Sequence, residues 1–217
     1  LRIDHPDGLY DPTAYFQSLR EACHDTWIVA EKILEPGESL PPQWSIDGTT
    51  GYDFLNRAAG LFVNPQYLTR LTDIYEHYTG QPTDYQALVR HCKGLVLDEL
   101  FSSELDRLSN LLADICRQHR RYQDYTRREL RDALYEIAVC FPVYRTYVRA
   151  DRGIATEADK HYVAQAVVQA IKSRPNLDFQ LMHFLEALLL LHITGPLEGE
   201  LAMRFQQLTG SVMAKGV

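Results

Sequence analysis

The chain has 217 residues, 46% of them hydrophobic and 24% charged, which is the composition of a globular protein with a sizeable buried core. Its formal net charge of −7 argues against a nucleic-acid partner and against an anionic membrane surface. No apolar run reaches the roughly 20 residues that a membrane span requires, so no membrane partner is expected. The four cysteines form no CxxC pair, which favours a reduced, cytoplasmic setting without excluding a single disulfide.

The N-terminal residues predict a strand, a helix and a second strand. Leu1–Ile3 alternates like a buried strand, and the next short apolar run is Trp27–Ala30. Between them, Asp11–Pro12 are residue types that begin a helix. In a parallel β-α-β unit both strands end on the same side of the sheet, so Asp4 and Glu31 are expected at one rim.

From residue 35 on, the chain predicts first a loop and then a series of helices. The loop covers residues 35–51, with 44–46 as a candidate third strand. A helix is expected from Tyr52 to Phe62. Capping residues, breakers and apolar positions at helical spacing then predict helices over 64–79, 84–101, 102–120, 126–140, 156–174, 178–193 and 197–208.

One pair of charged residues on the first strand suggests chemistry. Arg2 and Asp4 are two residues apart, so on a strand their side chains point to the same face. A neighbouring cation favours the ionised form of a carboxylate, which is the form that acts as a nucleophile. A purely structural Arg–Asp pair at the end of a strand is an open alternative.

Several longer stretches resemble a known family. LRIDHPDGLYDP at 1–12 and IVAEKIL at 28–34 resemble the α-amylase family of glycoside hydrolases. Within that family, the stretches most similar to the trehalose-forming glucosylmutases are WSIDGTTGYDFLN at 44–56, FPVYRTYV at 141–148, RFQQLTG at 204–210 and VMAKGV at 212–217. The fold class that follows is mainly α, with a helical insertion domain attached to a partial (β/α)8-barrel segment that has two or three short strands. The expected domains are a barrel segment over 1–63, the helical insertion over 64–195 and a return towards the barrel over 196–217.

The resemblance also implies a reaction and its residues. Asp4 would be the nucleophile and Glu31 the general acid/base of a retaining mechanism, in which the two carboxyl groups lie about 5–5.5 Å apart. The substrate-binding residues carried over are Arg2, His5, Lys32, Tyr52 and Asp53. For the last two, a helix cap and a core tyrosine are an equal alternative. The implied activity converts the reducing-end α-1,4 linkage of a maltooligosaccharide into an α,α-1,1 linkage.

The chain is expected to be a middle segment of a larger enzyme. The family uses a third acid on a later strand, and no stretch here matches its motif, so the segment alone should lack full activity. One alternative is a hydrolase or transglucosidase of the same family. Another is a non-catalytic helical module that binds glucan or a partner.

Other kinds of site find little support in the sequence. The eight histidines include no HxxxH pair, and Cys116 with His119 has no second pair to complete a zinc site, so no metal is predicted. No GxxxxGK[ST] or GxGxxG pattern occurs, and no cofactor is predicted. The arginines between 117 and 131 are interpreted as a solvated face. The partners expected are a maltooligosaccharide and, through exposed sheet edges, other copies of the segment.

Overall fold

Three short strands form a parallel sheet in the order β1, β2, β3. They are β1 at Arg2–Ile3, β2 at Val29–Ala30 and β3 at Gly48–Thr49. Helix α1, at Pro12–Ala22, connects β1 to β2 as predicted. The computed structural model describes all 217 residues, and the contacts among them divide the chain into two compact units. The first, the sheet unit, comprises residues 1–6 and 13–89.

The third strand lies at 48–49, and the candidate position at 44–46 was wrong. Residues before Asp47 turn instead of pairing, since the Trp44 N–H donates to the Pro41 carbonyl. Pairing begins at Asp47, whose backbone N–H donates to the Ile28 carbonyl at 2.8 Å and whose carboxylate accepts the Ile28 N–H at 2.7 Å. Arg20 of α1 holds that carboxylate at 2.8 Å. The start of β3 is therefore fixed by groups distant in the sequence.

The remaining helices of the sheet unit expose much of their apolar surface. They are α2 at Tyr52–Gly60, a 3₁₀ turn at Pro65–Tyr67, α3 at Leu68–Thr79 and the start of α4 at Tyr85–Glu99. The predicted apolar face of α3 exists, yet Leu68 is 66% exposed and Leu71 58% exposed. The fully buried side chains of this unit, such as Phe16 and Ile28, lie on α1 and next to β2.

The second compact unit, the helical unit, comprises residues 7–12 and 90–217. Its helices are the rest of α4, α5 at Ser102–Gln118, α6 at Arg127–Val139, α7 at Glu157–Ser173, α8 at Phe179–Leu189 and α9 at Pro196–Gly216. Helix α5 packs on α6 and on α9, and α7 packs on α8. The core is a continuous cluster of leucine, isoleucine, valine and phenylalanine side chains from these helices. These side chains recur at helical spacing, so each helix has an apolar face, and the burial of these faces stabilises the unit.

The predicted mainly helical fold with three short strands is confirmed. The ends of α8 and α9 differ most from the prediction. Helix α8 ends at Leu189, and Leu191 just beyond it has a φ of 58°. Helix α9 continues past Leu208 to Gly216, because Val212 and Met213 extend its buried face. None of the helices combines the length and the hydropathy that a membrane span requires.

The predicted domains remain a prediction about the parent enzyme. In this chain the two compact units divide at other positions, after residue 89 and on either side of residues 7–12. Helix α9, predicted to return to the barrel, contributes its buried face to the helical unit.

Candidate active site

Asp4 and Glu31 lie side by side because of the register of β1 and β2. Ile3 pairs with Ala30, so the acid that follows each strand is the neighbour of the other acid. Arg2 contacts both carboxylates. Its Nη1 lies 2.8 Å from Asp4 Oδ1, and its Nη2 lies 3.8 Å from Glu31 Oε1. The predicted pairing of Arg2 with Asp4 on one face is thus present, and a single guanidinium connects the two acids.

Glu31 is the more shielded of the two acids. Its side chain is 24% exposed, whereas that of Asp4 is 70% exposed. Two further donors reach Glu31: the His5 backbone N–H contacts Oε2 at 3.2 Å, and the Tyr52 hydroxyl contacts Oε1 at 3.4 Å. The Glu31 carboxylate is therefore held from three sides, while Asp4 faces open space.

His5 adopts an unusual backbone conformation next to Asp4. Its φ is 43°, in the left-handed region that non-glycine residues seldom occupy. The residue before a proline, here Pro6, ordinarily prefers an extended conformation. Such a conformation costs on the order of 1–3 kcal/mol and clusters at functional sites. The regular alternation of the strand stops here, and the His5 N–H donates to Glu31 while its side chain is exposed.

Lys32 is buried in the loop that follows β2. Its ammonium lies 3.0 Å from Glu38 Oε1 and donates to the Ile33 carbonyl at 3.0 Å. The Lys32 side chain is 0% exposed. Contact between Lys32 and a sugar stays a prediction, and in this structure the ammonium is occupied by the chain's own oxygens.

Tyr52 and Asp53 begin helix α2 in two different settings. Tyr52 lines an open cavity of about 290 Å³ together with Arg2, Thr50, Gly51 and Leu55. Asp53 instead accepts a hydrogen bond of 2.5 Å from the Thr49 hydroxyl. That bond holds the pKa of the Asp53 carboxyl below its usual value. Tyr52 thus contacts both the cavity and Glu31, whereas the Asp53 carboxylate is hydrogen-bonded to Thr49 at the start of α2.

Thr50 is a residue of this site that the sequence interpretation missed. It follows β3, and the pairing of Ala30 with Thr49 makes Thr50 the neighbour of Glu31. Its hydroxyl oxygen is buried and has no hydrogen-bond partner. The signal was available, because residues just past the carboxyl ends of parallel strands share one edge. A third strand predicted at 44–46 does not put Thr50 at that edge, whereas the observed strand at Gly48–Thr49 does.

The side chains gathered here suit acid–base and nucleophilic chemistry. They are two carboxylates, a guanidinium, a phenol and a hydroxyl beside an open cavity. The structure arranges no group of three or more His, Cys, Asp or Glu side chains as metal ligands.

Comparison with known proteins gives relatives of one kind. No protein-family model matches the chain. Putative maltooligosyl trehalose synthases of Mycobacterium tuberculosis, strains CDC 1551 and H37Rv, are each 39% identical over 114 residues, which cover 52% of this chain and 15% of theirs. The structure of maltooligosyltrehalose synthase from Arthrobacter ramosus matches with a TM-score of 0.81 and 34% identity, over 100% of this chain and 25% of that chain. A DSM5389 glycosyltrehalose synthase matches with a TM-score of 0.69 and 30% identity, over 100% of this chain and 24% of its own.

The parallel strands with their paired acids belong to a chain that is similar, by these relatives, to a segment of the trehalose synthases. More narrowly, the chain matches the maltooligosyl trehalose synthases along its whole length, which confirms the resemblance predicted from the sequence. It spans about a quarter of the length of the solved structures that it matches.

Proposed function

We propose that the complete enzyme containing this segment is an intramolecular transglucosylase. It converts the reducing-end α-1,4 linkage of a maltooligosaccharide into an α,α-1,1 linkage, as in trehalose. The observation that carries the proposal is the register of β1 and β2, which gives Asp4 and Glu31 a common guanidinium. The names of the relatives supply the substrate and the product.

The reaction proceeds by two displacements at one anomeric carbon. Asp4 attacks this carbon and forms an ester, while Glu31 protonates the departing O4 of the terminal glucose. The glucose then turns over within the site. Glu31 removes the proton from its C1 hydroxyl, and that oxygen attacks the same anomeric carbon and releases Asp4. The configuration at this carbon is retained, and no water is consumed.

The neighbouring groups have roles that follow from their contacts. Arg2 pairs with Asp4, and the His5 N–H and Tyr52 hydroxyl orient Glu31. We assign sugar contacts to Arg2, His5 and Tyr52. Contact of a sugar with Lys32 or Asp53 requires each to exchange its partner, Glu38 or the Thr49 hydroxyl.

We also propose a cytoplasmic location for the parent enzyme. The support is that the four cysteines form no disulfide, as is usual for proteins of reducing compartments.

Azide rescue in the complete enzyme tests the two acids separately. We expect Asp4→Ala and Glu31→Ala each to lower turnover of maltopentaose by roughly a thousandfold or more. The azide experiment then uses α-maltotriosyl fluoride as the glycosyl donor. Added azide should give the β-glycosyl azide with Asp4→Ala, because it attacks the anomeric carbon directly and displaces fluoride with inversion. It should give the α-glycosyl azide with Glu31→Ala, because it attacks the ester on Asp4 from the opposite face.

Matched controls and product analysis complete the test. Asp25→Ala and Glu21→Ala, exposed carboxylates of the same unit, should keep normal activity. The roles assigned here are wrong if the two azides have the opposite configurations or if either alanine variant keeps normal turnover. For the unaltered enzyme, NMR of the maltopentaose products should show an α,α-1,1 linkage. Free glucose without that linkage would establish the hydrolase alternative.

A further inference from the structure

The loop between β1 and α1 belongs by its contacts to the helical unit. Residues 7–12 of this loop are bound by a segment far along the chain, Arg145–Arg149. The guanidinium of Arg145 donates to the carbonyls of Asp7 at 2.7 Å and Leu9 at 2.5 Å, and more weakly to that of Tyr10 at 3.4 Å. One side chain thus fixes three backbone groups of one loop.

Other side chains of the helical unit add contacts to the same loop. The Tyr147 hydroxyl donates to the Asp7 carboxylate, and Arg149 pairs with Asp11 through two nitrogens at 2.7 and 2.9 Å. Gln207 of α9 donates to the Gly8 carbonyl at 3.0 Å. We refer to Arg145, Tyr147 and Arg149 together as the loop clamp.

Burial makes the clamp rigid. Arg145 is 1% exposed, and its guanidinium lies 5.3 Å from the centre of the Tyr147 ring. Burial lowers the pKa of Arg145, and the nearby Asp7 and Asp11 oppose that change. A guanidinium presents its donors in a fixed plane, so the carbonyls that it binds are held in fixed positions. Leaving these buried groups unpaired would be costly, and the loop has little freedom to adopt another shape.

The clamped loop begins at Asp7, three residues after Asp4, and His5 between them has a strained backbone. His5, with its positive φ, and the proline ring of Pro6 connect Asp4 to Asp7. A strained residue keeps its conformation only where structure on both sides imposes it. On one side of His5 the imposing structure is β1, and on the other it is the clamped loop.

Resting on the proposed function, we infer that the loop clamp consists of positioning residues for the nucleophile. By fixing the loop from Asp7 onward, Arg145, Tyr147 and Arg149 maintain the His5 conformation that sets Asp4 and directs the His5 N–H at Glu31. They act through the backbone of the loop that they bind, and not by a contact with either acid. Loosening the clamp should therefore slow formation of the ester on Asp4 while leaving substrate binding in place.

The test uses Tyr147→Phe and Arg149→Met in the complete enzyme, with Arg174→Met as the matched control. Arg174 is also an arginine of the helical unit paired with an aspartate, Asp132, but it does not touch the loop. A 5-fluoro maltooligosyl fluoride forms a long-lived ester, so the amplitude of fluoride release counts competent sites and its rate reports the attack by Asp4. We expect Arg149→Met to lower both kcat per competent site and the trapping rate by about ten- to a hundredfold, with KM for maltopentaose within about twofold.

The remaining variants define the outcomes. Tyr147→Phe should show a smaller fall in the same direction, and Arg174→Met should match the unaltered enzyme in trapping rate. The inference is overturned if Arg149→Met and Tyr147→Phe lose competent sites or thermal stability while each remaining site traps at the normal rate. A rise in KM with unchanged kcat also overturns it, because the loop would then act on binding. Asp4→Asn distinguishes the two levels: if it remains active, the proposed function fails, whereas an inactive Asp4→Asn beside normal clamp variants refutes the clamp alone.

Discussion

The Thr49 hydroxyl makes two hydrogen bonds at the end of β3. It donates to Asp53 at 2.5 Å and accepts the Gly51 N–H at 3.2 Å. Gly51 has a φ of 106°, which favours glycine there and allows the sharp entry into α2. We predict that Thr49→Val raises the pKa of Asp53 towards its usual value, because the largest cause of its lowering is this hydroxyl. Titration of the Asp53 carboxyl by NMR measures the change.

The same substitution should change how stability depends on pH. The folded-state pKa of Asp53 lies below its unfolded value of about 3.9, so its interaction stabilises the fold above that pH. That contribution is lost as the pH falls through the folded pKa. The free-energy difference between Thr49→Val and the unaltered chain should therefore be larger at pH 7 than at the acid end. An equal difference at both pH values, or an Asp53 shift in the control Thr72→Val, at a half-buried threonine of α3, would contradict the assignment.

At the level of single residues, local spacing predicted part of the site. Arg2 and Asp4 follow from the two-residue period of a strand, and Glu31 from its place after the second strand. The partners of Lys32 and Asp53 could not be predicted from spacing. Lys32 forms a buried ion pair with Glu38 and Asp53 accepts a hydrogen bond from Thr49, and both contacts depend on how the loops fold back.

Two helices of the helical unit begin with capping boxes that differ in burial. In α6 the box joins Thr126 and Glu129, and Glu129 is exposed. In α7 it joins Thr156 and Asp159, and Asp159 is 3% exposed and also accepts the Tyr147 N–H at 2.8 Å. We predict that Glu129→Ala lowers the free energy of unfolding by about 1 kcal/mol, and that Asp159→Ala lowers it by about 2–4 kcal/mol.

The difference has a single cause that can be measured. Both substitutions remove the carboxylate of a capping box and keep its N-cap threonine, but only Asp159→Ala leaves the Tyr147 N–H without its carboxylate acceptor. Urea unfolding followed by circular dichroism gives both free energies on one chain. Equal losses for the two variants would mean that the bond to Tyr147 contributes nothing to stability.

At the level of elements, helix starts were predictable and some ends were not. Thr126 and Thr156 carry their capping signal within four residues, so the sequence suffices. The sequence predicts an end of α9 at Leu208, whereas the helix continues to Gly216. In the fold Gly210 lies inside the helix, where an added Cβ would approach the Asp7 carbonyl to 3.4 Å. Gly210 thus packs against a residue near the other end of the chain.

At the level of the whole chain, the two compact units have no clear signal in the sequence composition. A change from loops to helices near residue 64 suggested a boundary there. That boundary stays a prediction about the parent enzyme, while the contacts within this chain group α2 and α3 with the strands and residues 7–12 with the helices. A segment of six residues can belong to a distant unit without any compositional signal, since long-range hydrogen bonds assign it.

The isolated chain should self-associate and should form no α,α-1,1 linkages. The sheet unit exposes Phe62 at 90% and Leu71 at 58%, and β1 and β3 are edge strands. Light scattering on a size-exclusion column should show a mass that rises with concentration up to about 100 μM. Phe62→Glu with Leu71→Glu should reduce that rise, whereas Val168→Glu, at an exposed position of the helical unit, should not.

A monomer at every concentration would contradict the prediction of self-association. Trehalose-type linkages formed from maltopentaose by the isolated chain would contradict the prediction that a third acid, outside this segment, is required. NMR of the products detects these linkages.

The separation between Asp7 and Arg145 has a consequence for how the protein is made. Arg145 follows Asp7 by 138 positions, so a ribosome adding about 5–20 residues per second reaches it roughly 7–28 s later. During that interval the nascent polypeptide contains Asp4 but lacks Arg145, Tyr147 and Arg149, which bind the loop that follows β1. Any translation product that stops before Arg145 therefore lacks the guanidinium that binds the carbonyls of residues 7, 9 and 10, even where its first strands have paired.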